Sequence, residues 1–441
     1  MNVRRWMTPG IGVKRWLLVV FLGLLLLAVG VAHFLRQASR DFEPGGPLEG
    51  LVYVITLQFL PFPLRGFIVG VLGLGLVVLG SYRVIRVVTD PLRMPDGDQP
   101  LVELIYQKRF LAKGPRIVAL GGGTGLSALL RGLKEHTSNL TAVVTVADDG
   151  GSSGVLREEL GIPPVGDIRN CIAALADAEP LMTQLMQYRF PPGSGLDNHA
   201  FGNLFIAAMT AVTGDFEEAV RESNRVLAVR GQVLPATSVP LNLSAQLASG
   251  RYLYGQAAIT AAEEPIERVF IEPADVRANG EALERILEAE MIVIGPGSLF
   301  SSVLPNLLIT DVRDALAAAP GLIVYVCNVA TQPGETEELS ASEHLSALFD
   351  HVGDGLIDYV IINRNNDARR PEGWRAHPVE VDVRRLEELP VVIIEEDVVD
   401  PANAHRHDPA KLAAALMRLQ QEDRVEKPRQ RHVGRPTANA S

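Results

Sequence analysis

Residues 116–134 read RIVALGGGTGLSALLRGLK, and residues 140–153 read LTAVVTVADDGGSS. Each stretch opens with an apolar run of β-forming residues, and the leucines between the two runs have helical spacing. The order strand, glycine turn, helix and strand is the first half of a doubly wound βαβ pattern. We therefore predict an α/β fold built on a parallel sheet.

The glycine turn at residues 121–125 predicts an anion site. Glycines let the backbone approach a bulky group closely, and the N-terminus of the next helix offers unpaired N–H groups and a positive dipole end. A phosphate or diphosphate is the expected ligand. Gly121 and Gly123 match the dinucleotide fingerprint, but Leu126 replaces its third glycine, so the pattern is weak evidence for NAD or FAD. A glycine turn that only caps a helix remains the alternative.

Two carboxylates, Asp148 and Asp149, follow the second apolar run. Folds of this kind often place an acid such as Asp148 against a ribose hydroxyl. Asp149 should point elsewhere, because side chains alternate along a strand. Either carboxylate could instead hold a divalent metal beside a diphosphate. Turn formation before the two glycines is a further alternative.

A second glycine turn lies in residues 291–302, which read MIVIGPGSLFSS. The pattern predicts a buried strand, a turn and a helix with Ser298 at its capping position. Two such turns at the carboxyl ends of strands could pinch a ligand across the crevice of a doubly wound sheet. A third loop begins at Asn328, after the strand predicted over residues 321–327.

A helix predicted over residues 168–176 has Asp167 as its expected cap. Arg169 would then lie in the first turn of that helix. A cation is unfavourable there for the helix dipole, so an anionic ligand would justify it. An ordinary surface arginine is the alternative.

The second half of the domain adds further predicted elements. A helix predicted over residues 198–209 contains Gly202, which costs roughly 1 kcal/mol relative to alanine and so suggests a close backbone or ligand approach. His199, at the start of that helix, would be structural if it stood alone. Residues 231–273 predict short strands that form a β-rich excursion, such as a lid or side sheet. These strands are expected at residues 232–235, 241–247, 252–259 and 268–271. His405 and His407 are expected at the surface, near a helix predicted over residues 409–419.

The N-terminal region predicts two membrane spans. Residues 16–35 carry no acid or base other than His33, and residues 66–82 form a second uncharged stretch. A signal peptide is the alternative for the first, but its apolar run is too long and no small-residue cleavage site stands out. Basic residues precede the first span and follow the second, which places both ends in the cytoplasm. These residues are Arg4, Arg5, Lys14, Arg15, Arg83, Arg86 and Arg93. We therefore expect a multi-pass protein of the cell membrane, in contact with lipid, with a cytoplasmic α/β domain.

The composition narrows the class of protein. Hydrophobic residues make up 47% of the chain, and the net charge of −11 gives no indication of nucleic-acid binding. The two cysteines, Cys171 and Cys327, have no partners at zinc-ligand spacing, so a disulfide framework or zinc site is not expected. The predicted division is a membrane region at 1–89, a linker at 90–115, an α/β domain at 116–420 and a disordered tail at 421–441.

Six blocks of this sequence, in order, resemble the YvcK family of gluconeogenesis factors, relatives of the CofD 2-phospho-lactate transferases. The resemblance covers residues 116–363, most of the globular part. The blocks are residues 121–127, 146–153, 166–170, 199–204 with the pattern H-x-x-G-N-L, 295–298 and 327–335.

The resemblance implies a Rossmann-like α/β fold that binds a nucleotide sugar of the UDP-N-acetylglucosamine type. It also implies a role in cell shape and wall metabolism on gluconeogenic carbon sources. By position, the first glycine turn would bind the diphosphate, and the second turn would lie opposite it. An aspartate would contact the ribose or a metal, and two polar residues would contact the distal part of the ligand. These residues are Gly122, Gly123, Thr124, Gly125, Gly297, Ser298, Asp148, Asp149, Arg169 and Asn203.

The CofD branch implies an alternative activity for the same site. Its members resemble transferases that move a phospho-lactyl group from a nucleotide diphosphate donor to a deazaflavin with magnesium, and Asp148 would then be the metal ligand. An NAD-dependent oxidoreductase is a third hypothesis, weakened by Leu126. A homodimer is a plausible assembly that the sequence does not specify.

Overall fold

The computed structural model describes residues 110–177, 179–369, 373 and 375–426, together with seven isolated positions before residue 72. Contacts divide the chain into two units, Met1–Phe110 and Leu111–Ser441. The second unit contains the α/β fold described below.

Twelve β-strands lie in the described part of the chain. They are β1 (Ile117–Gly121), β2 (Leu140–Val144), β3 (Gln232–Pro235), β4 (Asn242–Leu247), β5 (Tyr252–Tyr254), β6 (Ile266–Glu272), β7 (Met291–Ile294), β8 (Leu322–Val326), β9 (Tyr359–Asn363), β10 (Val392–Glu396), β11 (Val399–Asp400) and β12 (Asn403–His407).

The helices of the same part of the chain alternate with these strands. They are α1 (Gly123–Leu133), α2 (Gly151–Leu160), α3 (Gly166–Leu175), α4 (Glu179–Gln187), α5 (Phe201–Thr213), α6 (Phe216–Val226), α7 (Gln256–Thr260), α8 (Gly280–Glu288), a π-helical turn (Leu299–Val303), α9 (Leu304–Leu307), α10 (Thr310–Ala318), α11 (Ala341–Val352), α12 (Val383–Leu386) and α13 (Pro409–Glu426).

A seven-stranded sheet forms the centre of the domain, in the order β10–β9–β8–β7–β1–β2–β3. Every neighbouring pair in it is parallel. The chain runs outward from β1 to β3 on one side and from β7 to β10 on the other. The strand order therefore reverses between β1 and β7, where Ile117 is in register with Met291. The predicted parallel α/β sheet is confirmed, and its topological switch point lies between these two strands.

The burial pattern explains why the first glycine turn has a fixed position. All residues of β1, β2 and β7 are buried, as expected for parallel strands covered on both faces. Helix α1 packs on the sheet through Leu126, Leu129, Leu130 and Leu133, which are fully buried at helical spacing. The turn between β1 and α1 is thus held by two packed elements.

The β-rich excursion is confirmed as a three-stranded antiparallel sheet in the order β5–β4–β6. Two details of its prediction are wrong. Strand β3 belongs to the main sheet, where it pairs with β2. Residues 252–259 are not one strand, because Gly255 leaves the extended conformation at φ 90° and α7 begins directly after it.

The ends of three predicted helices differ in the structure. Helix α3 begins at Gly166 with Val165 as its N-cap, so the expected capping role of Asp167 is wrong. Helix α5 begins at Phe201 rather than at residue 198, because Asn198 adopts a left-handed backbone with φ 62°. Helix α13 continues to Glu426, beyond the predicted end at residue 419.

The predicted membrane spans, residues 16–35 and 66–82, lie outside the described residues except for four isolated positions. None of the helices in the described part of the chain combines the length and the apolar character that a bilayer crossing needs. The membrane prediction therefore stays a prediction.

His407 was expected at the surface, but the structure buries it to 6% exposure at the end of β12. Its Nε2 atom lies 3.2 Å from the carbonyl oxygen of Cys327, so Nε2 carries the proton and donates. Burial lowers the pKa of His407 to about 4. Strand β12 brings this histidine across the carboxyl end of β8, a placement that no local sequence pattern indicates.

This histidine should make the folded state sensitive to acid. Because its folded pKa lies below the unfolded value of about 6.5, its contribution is complete above pH 6.5 and is lost as the pH falls towards 4. We expect the wild-type protein to lose about 2 kcal/mol of unfolding free energy between pH 8 and pH 5 that the variant His407→Gln does not lose. Urea unfolding of both proteins at the two pH values measures this difference, and parallel pH profiles would contradict it.

Candidate functional site

The two glycine turns meet at the carboxyl edge of the sheet. They follow β1 and β7, which are adjacent parallel strands. A Cβ atom built on Gly125 would lie 2.6 Å from the carbonyl oxygen of Pro296, and one built on Gly297 would lie 3.2 Å from the carbonyl oxygen of Gly122. The backbones approach this closely because these glycines have no side chains. Both turns therefore open at the switch point, where α/β sheets bind their ligands.

The first turn leaves its helix N-terminus accessible. Gly122 is the N-cap of α1 and has no side chain that could cap the helix, and the amide of Gly123 donates to the carboxylate of Asp167. Thr124, in the first turn of the helix, is exposed, and Gly123 and Gly125 on either side are half-buried. The amide end and positive dipole of an eleven-residue helix thus face the crevice.

The second turn is organised differently from the prediction. Ser298 precedes the π-helical turn but makes no side-chain capping bond. Its hydroxyl instead accepts a hydrogen bond of 2.9 Å from Nε2 of Gln332. The amide of Gly297 donates to Oδ1 of Asn328 at 3.3 Å. The third loop therefore holds this turn in place through side chains.

The π-helical turn that follows the second glycine turn already binds a carboxylate of the protein itself. Glu335 is 6% exposed, and its carboxylate accepts bonds from the amide of Ser301 at 3.3 Å and from its hydroxyl at 2.6 Å. Burial raises the pKa of Glu335. The second turn therefore contributes a wall to the crevice rather than an anion site. The helix N-terminus after the first turn, whose Gly123 amide donates to Asp167, is the end that an external anion can approach.

Asp148 and Asp149, which the sequence left as alternatives, have different roles in the structure. Asp149 accepts bonds of 2.9 Å from the backbone amides of Gln256 and Ala257, and so caps α7 of the excursion. Asp148 is half-buried and accepts a bond of 3.0 Å from the amide of Gly150. Burial raises the pKa of Asp148. Of the two, Asp148 is the one available for ligand chemistry.

Asp167 joins Asp148 at the base of the crevice. Its carboxylate lies against Gly122, where a Cβ atom would overlap it and would also lie 2.8 Å from Cγ2 of Thr145. Burial, followed by the charge of Asp148, raises the pKa of Asp167 to about 6, although a bond from the amide of Gly123 acts in the opposite direction. Two carboxylates that disfavour each other's ionisation thus lie beside the first glycine turn.

Replacing Asp167 with asparagine should stabilise the protein. The folded pKa of Asp167 lies above the unfolded value of 3.8, so its ionised carboxylate opposes folding at pH 8 and this penalty disappears as the pH falls through 6 towards 3.8. Asparagine keeps an acceptor for Gly123 without the charge. We expect Asp167→Asn to gain on the order of 2 kcal/mol at pH 8 and almost nothing at pH 4. Denaturant unfolding at both pH values measures the gain, and a loss at pH 8 would contradict it.

Arg169 is buried to 8% exposure in the first turns of α3. Its guanidinium donates to Oδ1 of Asn203 at 3.1 Å and to Oδ1 of Asn170 at 3.0 Å, and its Nε has no partner. Burial, and then the charge of Arg189, lowers the pKa of Arg169. Both hydrogen-bond partners are neutral amides. No carboxylate of the described residues lies within ion-pair distance, although the charges of Asp167 and Asp148 act on the guanidinium from farther away.

Gly202 has the close approach that its position in a helix suggested. A Cβ atom there would lie 2.6 Å from Cγ of Arg169 and 2.7 Å from the sulfur of Met186. The absence of a side chain therefore lets α5 lie directly on the arginine stem. Asn203, the next residue, also donates through Nδ2 to the hydroxyl of Ser152 at 3.0 Å, and this hydroxyl lies 3.1 Å from Nδ1 of His199. The arrangement joins the start of α2 to the start of α5.

The two carboxylates fit a magnesium ion that is held partly by the ligand, and not a metal ion that is enclosed by protein side chains alone. Within the described residues, no cluster of three or more histidine, cysteine or acidic side chains is arranged to hold a metal. Mg²⁺ commonly binds through one or two carboxylates together with substrate phosphates. Asp148 and Asp167, beside the phosphate-sized glycine turn, meet that description.

Comparison of the sequence with known proteins assigns the chain to a family. The family model described as 2-phospho-L-lactate transferase CofD matches residues 117–399, which include the whole site described above. The chain belongs to the CofD family. Within this family it is similar to the gluconeogenesis factors, as the sequence blocks predicted.

The relatives extend over different lengths of the chain. The gluconeogenesis factor of Bacillus subtilis is 46% identical over 317 residues, which are 71% of this chain and all of that protein. A relative from a Nostoc species is 43% identical over 421 residues, 94% of this chain and 92% of that one. The crystal structure of a UPF0052-family protein from Bacillus halodurans has 44% identity and a TM-score of 0.65, and covers 69% of this chain and 99% of that chain.

Leu126 weakens the oxidoreductase hypothesis further. It occupies the place of the third fingerprint glycine in this CofD-family chain and is fully buried beneath the turn. In dinucleotide-binding folds that glycine serves close packing between helix and strand. Here a core leucine fills the same space.

A cavity of about 270 Å³ lies at the opposite, amino edge of the sheet. It is bordered by the starts of three strands and by the end of α8. Its lining includes Arg116, Ser138, Asn139, Thr141, Gln232, Arg285 and Glu288. The amino edge is not where doubly wound sheets bind nucleotides, so this cavity is separate from the candidate site.

Sequence reasoning assigned no ligand-binding role to four residues near the site: Ser152, Asp167, His199 and Glu335. Asp167 was expected only as a helix cap, and His199 belonged to the block at residues 199–204 without a role of its own. The charge of Asp167, in the block GDIRN next to Arg169, was the available signal. Glu335 approaches Ser301 from 34 residues away, which local patterns do not encode.

Proposed function

We propose that this protein is a regulatory, nucleotide-sugar-binding member of the gluconeogenesis-factor branch, tethered to the membrane by its N-terminal segments. Its ligand is a nucleoside diphosphate sugar of the UDP-N-acetylglucosamine type. The diphosphate lies over the first turn of α1, within reach of Arg169, and the sugar lies beyond it, towards Asn203. This function needs no nucleophile and no general base.

The observation that carries the proposal is the buried guanidinium of Arg169, which makes no direct ion pair with a described residue. Its hydrogen-bond partners are amides, and its Nε is buried without a partner. A buried cation of this kind gains most from an anionic ligand, because the attraction is weakly screened there. The accessible end of α1 supplies a second source of positive potential for the same diphosphate.

Isothermal titration of the full-length protein with UDP-N-acetylglucosamine tests the proposal. We expect saturable heat with one site per chain, and weaker heat with UDP alone because the sugar contacts are missing. GDP-linked and CDP-linked sugars measure the selectivity for the base. Folded protein that gives no heat with any of these compounds would contradict the proposal.

A transferase of the CofD kind is the second candidate, favoured by the pair Asp148 and Asp167. In this activity the pair would hold magnesium, which would neutralise charge on a nucleotide diphosphate donor during transfer to a deazaflavin acceptor. The chain itself would orient the donor with the first turn of α1 and keep its distal phosphate near Arg169. Product formation that requires magnesium and disappears in Asp148→Asn would establish this activity. The absence of turnover in protein that binds the donor favours the regulator.

A further inference from the structure

The orientation of the Asn203 amide follows from the chemistry of its neighbour. Nη1 of Arg169 lies 3.1 Å from Oδ1 of Asn203. A guanidinium has only donors, so the atom that faces it must be the amide oxygen. The amide nitrogen consequently faces the other way and donates to the hydroxyl of Ser152 at 3.0 Å.

The hydroxyl of Ser152 then has only one direction left for its own proton. It accepts from Nδ2 of Asn203 and also from the backbone amide of Ala200, at 3.3 Å. A hydroxyl has two lone pairs and one proton, so both lone pairs are in use. The remaining neighbour is Nδ1 of His199 at 3.1 Å, and the O–H group must donate to it.

This order of donors fixes the tautomer of His199. Because Nδ1 accepts a hydrogen bond, the proton of the neutral ring lies on Nε2. Among the residues that the structure describes, none forms a hydrogen bond with Nε2. His199 is half-buried and follows Asn198, whose left-handed backbone at φ 62° turns the chain before α5. The imidazole thus has an oriented donor without a protein partner.

We propose that His199 determines ligand specificity by presenting Nε2–H to an oxygen of the ligand group beyond the diphosphate, while Ser152 and Asn203 are positioning residues that set this tautomer. The proposal rests on the proposed binding of a nucleoside diphosphate sugar. Arg169 lies towards the two carboxylates and the glycine turn, and His199 is at the far end of the same hydrogen-bonded series. One ligand with an anionic part and a part rich in neutral oxygens would satisfy both ends.

Nitrogen-15 NMR of the imidazoles in the full-length protein without ligand tests the positioning role. We expect the Nε2–H form for His199, assigned by the signal that disappears in His199→Gln. In Asn203→Asp both side-chain oxygens accept, so Ser152 donates to the new carboxylate and accepts from His199. The ring proton should then move to Nδ1. Ser152→Ala should give a mixture of tautomers. A wild-type Nδ1–H form, or an unchanged tautomer in both variants, would overturn the positioning role.

Ligand titrations of two histidine variants test the specificity role. The amide nitrogen of His199→Gln can reach the place of Nε2, whereas that of His199→Asn can reach only the place of Nδ1. We expect His199→Gln to bind UDP-N-acetylglucosamine within about threefold of wild type and His199→Asn to bind it about tenfold more weakly. Affinity for UDP should stay the same in both, because UDP lacks the group that His199 contacts.

The outcomes separate this role from the proposed function. Wild-type protein that binds the sugar nucleotide while His199→Asn binds it equally well overturns only the role of His199. Wild-type protein that binds neither compound overturns the proposed function, and the specificity role with it. The NMR experiment still decides the tautomer in that case, because it uses no ligand. Equal losses for UDP and for the sugar nucleotide would place His199 at the diphosphate and overturn the assignment to the distal group.

Discussion

Arg169→Gln is expected to lower the affinity for UDP-N-acetylglucosamine about 100-fold and to change the free energy of unfolding by less than about 1 kcal/mol. The guanidinium is buried, and its hydrogen bonds go to the neutral amides of Asn203 and Asn170. In the unliganded protein its charge is already unfavourable, so its removal offsets the lost packing against Gly202. In the complex the same change leaves a buried ligand anion without its partner.

Titration calorimetry and urea unfolding of the same preparations measure the two quantities. Arg157→Gln is the matched control, because Arg157 is a half-buried arginine that, like Arg169, donates to neutral oxygens, those of Leu241 and Asn242. These partners belong to the excursion, so the control should lose about 1 kcal/mol of stability and keep its affinity within about twofold. Wild-type affinity in Arg169→Gln would remove the main support for anion binding at this site.

The parallel sheet could be predicted because the burial of each strand is visible in the residues of that strand. Strands such as β1 and β7 are buried on both faces, and such strands consist of apolar runs. The position of the first glycine turn followed in the same way, since a strand precedes it and a leucine-rich helix face follows it. The convergence of two turns at one edge was inferred from the rule for parallel strands, and β1 and β7 are indeed neighbours.

The sequence did not predict whether each glycine turn is free to bind a ligand, because this depends on side chains that are distant in sequence. The helical end after the second turn has the same local pattern as the first, yet the carboxylate of Glu335 occupies it from a different loop. Asp149 was treated as a ligand candidate, but its hydrogen-bond partners lie 107 and 108 residues away. Asp167 was treated as a local cap, whereas its carboxylate faces the first glycine turn. Local rules identified candidate residues but not the distant hydrogen-bond partners that decide what each of them does.

Gly125→Ala is expected to destabilise the protein by about 2 kcal/mol and to weaken ligand binding at least tenfold. Gly125 is the third residue of α1, where alanine by itself would favour the helix by up to about 1 kcal/mol. The new methyl group, however, would lie 2.6 Å from the carbonyl oxygen of Pro296 and 2.8 Å from its carbonyl carbon. These are backbone atoms of the second turn, so relief requires the two turns to separate.

The sign of the stability change distinguishes helix propensity from the contact between the turns. Gly280→Ala is the matched control, because Gly280 is the first residue of α8 and no atom lies within 4 Å of a Cβ built there. This control should be neutral or gain up to about 1 kcal/mol. Unfolding measurements and ligand titration on both variants give the comparison. If Gly125→Ala were also stabilising, the two turns would be able to separate without penalty, and the rigid wall proposed for the ligand crevice would not exist. A loss of both stability and affinity, confined to Gly125→Ala, would show that the close approach of the two backbones shapes the binding site.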